Sequence, residues 1–158
     1  MKTTNQIADH LRQLHFGGNW TGANLKETLD NMDWRDATKK IGSLHSIATL
    51  VFHINFFVDA TLYFFEHGKL TAKDQFSFDG PKISSQEHWA SFLAKTWDDC
   101  EQLAAHIENL EDSVLDEFFF SKENGTYFRC LQGLIEHSHY HLGQIAIIKS
   151  ILNNDTND

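Results

Sequence analysis

His137-Ser138-His139-Tyr140-His141-Leu142-Gly143-Gln144 holds three of the chain's ten histidines, and its reading decides the fold. As a strand it would put all three imidazoles on one face, because side chains alternate along a strand. As a helix it brings only His137 and His141 together, about 40° apart around the axis, and turns His139 about 160° away from His141. The flanking residues favour the helix. Leu131, Leu134, Ser138, His141, Ile145, Ile148 and Leu152 recur at spacings of three and four, the period of a buried helix face. The aspartate of the common HxHxDH strand motif is also missing, since Leu142 and Gly143 stand in its place. A helix is expected over Thr126–Leu152, with His139 at the surface.

Three more long helices are predicted upstream. Ile7, Leu11 and Leu14 mark one over Thr4–His15, with Thr3-x-x-Gln6 as a capping box and Gly17-Gly18 as its stop. A connection carries Trp20, Leu25, Leu29 and Trp34, with a short helix over Asn24–Asn31. The next long helix is read over Trp34–His67, with Asp33 as N-cap and Gly68 as C-terminal stop. Gly42 loosens its start, so regular structure is expected from near Ile41. Residues 68–83 form a long loop containing the only proline, Pro81. At about 3.3 Å per residue that loop can span a whole helix, which allows its neighbours to run parallel. A second capping box, Ser84-x-x-Glu87, opens a helix ending near Glu108–Leu110. Leu115–Gly125 reads as irregular, with Phe118-Phe119-Phe120 plugging one end of the core. The fold class is therefore all-α, one domain over 1–152, with a frayed tail over 153–158.

Composition narrows the function. A length of 158 residues suits one domain with a real core, and 41% hydrophobic residues excludes disorder. The net charge of −9, with no basic cluster beyond Lys39-Lys40, argues against nucleic-acid binding. Ile47–Phe65 is apolar enough to imitate a membrane span, but His53, Asn55 and Asp59 are costly in lipid, so a buried helix is expected. Cys100 and Cys130 are read as reduced thiols. With no apolar signal-peptide core in the first residues, the expected location is cytoplasmic.

Two imidazoles on one helix face are modest grounds for a metal site. His141, however, lies within the core stripe, where unpaired imidazoles are costly to bury and a cation would resolve the cost. A third ligand must come from another helix. His53 is the candidate, in the apolar run Leu50-Val51-Phe52-His53-Ile54, with His45 as its competitor. His10, His15, His67, His88 and His106 read as surface residues. Three imidazoles suit zinc, nickel or ferrous iron and leave a coordination position open for water or a thiolate. Cys130 lies two turns before His137 and is read as a small buried residue. Gln144, one turn after His141, is a candidate to orient a ligand or to pack beside Gly143.

His137-x-x-x-His141-x-Gly143-Gln144 resembles the HxxxHxGQ signature of the DinB-like superfamily. Ser46-Ile-Ala-Thr-Leu-Val-Phe-His53 resembles its second-helix motif, and Asn19-Trp20-Thr-Gly22 through Leu29 its first connection. The resemblance implies a four-helix bundle with up-down-down-up topology, a divalent metal on His53, His137 and His141, and a homodimer. It brings in thiol-dependent relatives, the bacillithiol S-transferases and mycothiol-dependent maleylpyruvate isomerase, alongside metal-dependent hydrolases. Leu142 stands where the family often has an arginine. The leading expectation is transfer of a small-molecule thiol to an electrophile. Hydrolysis by a metal-activated water and a non-catalytic metal-stabilised binding protein are the alternatives. No carboxylate lies one turn from a proposed ligand on its own face, which weakens the hydrolase reading.

Overall fold

The computed structural model describes residues 2–155. Among them are six helices: α1 (Thr3–Phe16), α2 (Leu25–Thr28), α3 (Trp34–Thr38), α4 (Ile47–His67), α5 (Gln86–Glu108) and α6 (Tyr127–Asp155). No strand occurs among these residues beyond one isolated bridge, Phe118 with Thr126. The chain is therefore all-α, as its periodicity predicts.

The helix ends depart from the sequence reading in instructive ways. Thr3 does not cap α1. The Asp112 carboxylate, far along the chain, accepts from the Thr3 and Thr4 N–H groups instead. The single helix expected over Trp34–His67 is two helices. Asp33 caps α3 as foreseen, but Gly42 has φ +54° and the chain leaves helical geometry between them. Helix restarts at Ile47, six residues later than Ile41, because the Ser46 hydroxyl caps it by accepting from Thr49 N–H. At α5 the cap is Ser85, accepting from His88 N–H, and not Ser84. Thr126 Oγ1 accepts from Arg129 N–H at the start of α6. That helix continues past Leu152 to Asp155, and residues 156–158 of the expected frayed tail lie outside the described residues. Of the three phenylalanines read as a plug, only Phe119 is buried; Phe118 and Phe120 are exposed.

The long helices pack as α1 on α5, α5 on α4, α4 on α6 and α6 on α1. Contacts between α4 and α5 advance together: Asn55 bonds Asp99, and Phe65 stacks on His106. Those between α4 and α6 run oppositely, with His53 against His141 and Phe64 against Tyr127. By length and hydropathy α4 could cross a membrane. Here it packs between α5 and α6, burying Ile47, Leu50, Val51, Ile54 and Val58.

Apolar side chains gather in two clusters. One holds Leu14, Ile47, Leu50, Trp89, Leu142 and Ile145, the other Ile7, Leu11, Val58, Leu103 and Leu131. Along α4, α5 and α6, a buried polar layer falls between them. Leaving such groups unpaired costs about 1–3 kcal/mol each, and all but Asn55 Oδ1 are bonded. Asn55 Nδ2 donates to Asp99, Thr96 Oγ1 to Phe92 O and Ser138 Oγ to Leu134 O.

His15 belongs inside, contrary to its reading as a surface residue. It is fully buried, donates from Nδ1 to Leu11 O and leaves Nε2 without a partner. Loss of solvent pushes its pKa down to about 4, against the opposing pull of the Leu11 carbonyl. An unfolded histidine titrates near 6.5, so below that pH the unfolded chain takes up a proton the folded chain refuses. Stability associated with His15 is thus complete above pH 6.5 and falls, by roughly 3 kcal/mol in all, as pH drops towards 4. Urea denaturation across that range should show the decline, and His15→Leu should flatten it. The corrected cap makes a separate prediction: Ser85→Ala should lose about 1 kcal/mol. Ser84→Ala should shift the urea midpoint much less.

Candidate metal centre

Two helices deliver the three histidines expected as ligands. His53 lies in the second turn of α4, set by the Ser46 cap, and is 6% exposed. His137 and His141 lie one turn apart on α6 and face it. His53 Nε2 is 3.0 Å from His137 Nε2, and His137 Nε2 is 3.0 Å from His141 Nε2. One nitrogen from each of the three rings falls within 4.8 Å of the others. His45, the competitor, is not in the cluster. It is exposed and stacks on Phe78, whose other face covers His53.

The outer nitrogens determine what the inner ones can do. His53 Nδ1 is 3.1 Å from Ser77 O, and His141 Nδ1 is 2.7 Å from Gln144 Oε1. A backbone carbonyl only accepts, so His53 donates from Nδ1 and keeps a lone pair on Nε2. Gln144 donates its own amide to Tyr140 Oη, which turns its oxygen towards His141 and fixes that ring in the same way. Gln144 therefore orients a candidate ligand, one of the two roles read for it. Such outer partners commonly set tautomer and ring orientation in metal sites.

His137 is left between two lone pairs. A proton on its Nε2 can bridge to one neighbour only, and the other 3.0 Å contact is then left without a hydrogen. Doubly protonating His137 is disfavoured: burial takes its pKa down to about 4, and its neighbours His141 and His53 push the same way. Burial also lowers His53, against the Ser77 carbonyl. Asp74, in the loop between α4 and α5, opposes both shifts. A cation accepting all three lone pairs resolves the conflict, so this donor set fits a metal ion.

Phe57 meets His53 and His137 edge-on, and Phe78 stacks on His53 with ring centres 3.9 Å apart. Ser77 and Phe78 were invisible to helix periodicity because they belong to the loop. Its proline marked a connection without saying where it would fold back. His139 is half-buried and bonds Ile135 O rather than standing free at the surface. Leu142 lies in the core. Cys130 is half-exposed, where a buried residue was expected.

A model of the DinB superfamily matches residues 19–145, a span that contains all three histidines. No curated protein and no solved structure gives a significant match.

Elemental analysis tests the cluster directly. The purified protein should carry one equivalent of a divalent metal, and His53→Ala and His141→Ala should each lose most of it. Gln144→Leu should weaken affinity roughly 10–100-fold without removing a ligand.

Proposed function

The chain belongs to the DinB superfamily, and from that premise we propose that it is a metal-dependent enzyme transferring a low-molecular-weight thiol to an electrophile. The carrying observation is the pair of 3.0 Å contacts among three Nε2 atoms whose rings are locked from outside. Zinc, nickel or ferrous iron suits such a set, with three protein ligands and an open position. The bound cation would supply one thing, a lowered pKa for a thiol at that position.

The remaining work belongs to the protein. Ser77 and Gln144 hold the rings in place. Phe57 and Phe78 lay apolar rings against His53, and Phe57 against His137, which strengthens electrostatic interactions there. The thiol gives its proton to solvent, its sulfur forms a bond to the electrophilic carbon, and the leaving group departs with the electron pair of the broken bond.

The helix contacts support a four-helix bundle with up-down-down-up topology. Pairings that advance together for α4 and α5, and oppositely for α4 and α6, are those this topology requires. We read the protein as a cytoplasmic homodimer that binds neither nucleic acid nor membrane. Its net charge supports the exclusion of nucleic acid, and exposed Trp20, Tyr140 and Ile147 offer apolar surface for a second copy.

A second reading is hydrolysis. Asp74 favours it, as a carboxylate from the loop whose charge reaches His53 and His137.

Metal-loaded protein should accelerate conjugation of a simple thiol to chlorodinitrobenzene, with chloride released. Chelation or His53→Ala should abolish the acceleration. A rate equal to that of the protein-free reaction across several thiols and electrophiles would end the transferase reading.

A further inference from the structure

Gly133 stands in the second turn of α6, where no loop or positive φ calls for glycine. A Cβ built there meets nothing within 4 Å, so no close packing calls for it either. Glycine in a helix interior is destabilising relative to alanine. The fold alone leaves this residue without a reason.

Two hollows meet at it. One, of about 230 Å³, is lined by His137, Phe57, Thr61, Leu134, Cys130 and Gly133. The other, of about 470 Å³, is polar and shares Cys130 and Gly133, with Arg129, Gln132, Asn124 and Glu136 around it. Together they run along α6 from a candidate metal ligand to a guanidinium. The eight-residue offset between Arg129 and His137 sets their separation along the helix axis at about 12 Å. The missing side chain at Gly133 leaves the passage open.

The far end is charged, and its arginine is solvent-exposed. Arg12 pairs with Glu101 and Glu108, and Arg35 with Asp33. Arg129 has no carboxylate partner among the described residues. Its stem lies close over Gly125, where a built Cβ would come within 2.6 Å of Arg129 Cδ. That glycine has φ +88°, so the turn both needs glycine and makes room for the arginine. Glu136, elsewhere in the polar hollow, disfavours a second negative group there.

We infer that the two hollows are one ligand channel, kept open by Gly133, for an extended thiol bearing a single anionic group. The sulfur end lies at the imidazole cluster, the apolar middle runs past Phe57 and Leu134, and the carboxylate reaches Arg129. The inference rests on the thiol reading above and adds the shape and charge of the substrate.

Protein loaded with cobalt(II) reports sulfur binding through its absorption band. Mercaptooctanoate should bind about threefold tighter than mercaptooctanol, the scale of one solvent-exposed ion pair. Arg129→Gln should erase that preference while leaving mercaptoethanol unaffected. Gly133→Leu should block both long thiols and still admit mercaptoethanol. Gly133→Ala guards against misfolding: it should raise the melting temperature by about 2–4 °C while weakening mercaptooctanoate. Equal affinity for the long acid and the long alcohol, or unchanged long-thiol binding in folded Gly133→Leu, would overturn the channel. Absence of the band with every thiol, mercaptoethanol included, would instead remove the thiol reading and the channel with it.

Discussion

Three imidazole nitrogens turned towards one another inside an apolar protein form the constraint on which the rest of this structure depends. Burial makes protonation expensive, and outer hydrogen bonds commit two of the three rings to presenting lone pairs. A single proton cannot reconcile two such contacts at 3.0 Å. The surrounding architecture serves to hold this conflict in place. The Ser46 cap sets the phase of α4 and so the direction of His53, and a one-turn spacing on α6 aligns His137 with His141.

The cluster lies near the buried polar layer between two apolar ones. Asn55 Nδ2, Thr96, Asp99 and Ser138 find partners within the protein, and Asn55 Oδ1 has none. His53 and His141 are satisfied on their outer nitrogens. Leu142, Ile145 and Trp89 pack on one side of the layer, and Val58, Leu103 and Leu131 on the other. Rigid packing on both sides limits how far the rings can move apart to relieve their repulsion. Membership of the DinB superfamily agrees with a metal-binding role, since the matched span includes all three rings.

The loop between α4 and α5 contributes more to the centre than its composition suggests. Ser77 and Phe78 are consecutive, and one supplies the carbonyl that fixes His53 while the other covers its ring. Gly80 lets that loop lie tight against Phe52, where a built Cβ would come within 2.8 Å. The charge of Asp74 opposes the lowering of the His53 and His137 pKa values. A stretch without hydrophobic period thus completes the surroundings of residues identified by period alone.

Helical period and the spacing of histidines are local properties, and the chain by itself determined those. The all-α class, the pairing of His137 with His141 on α6 and the apolar setting of His53 followed from which residues share a helix face. The break before Ile47 was only hinted at by Gly42, because a cap competes with helix propagation on margins that neighbours decide. His15 could be read as a surface residue because burial depends on what another helix lays over it, here Trp97 of α5. Nor could the sequence show which loop carbonyl would reach His53, or that Phe57 and Thr61 would line a hollow together with Gly133. Those relations join residues distant in the chain, and only packing brings them together.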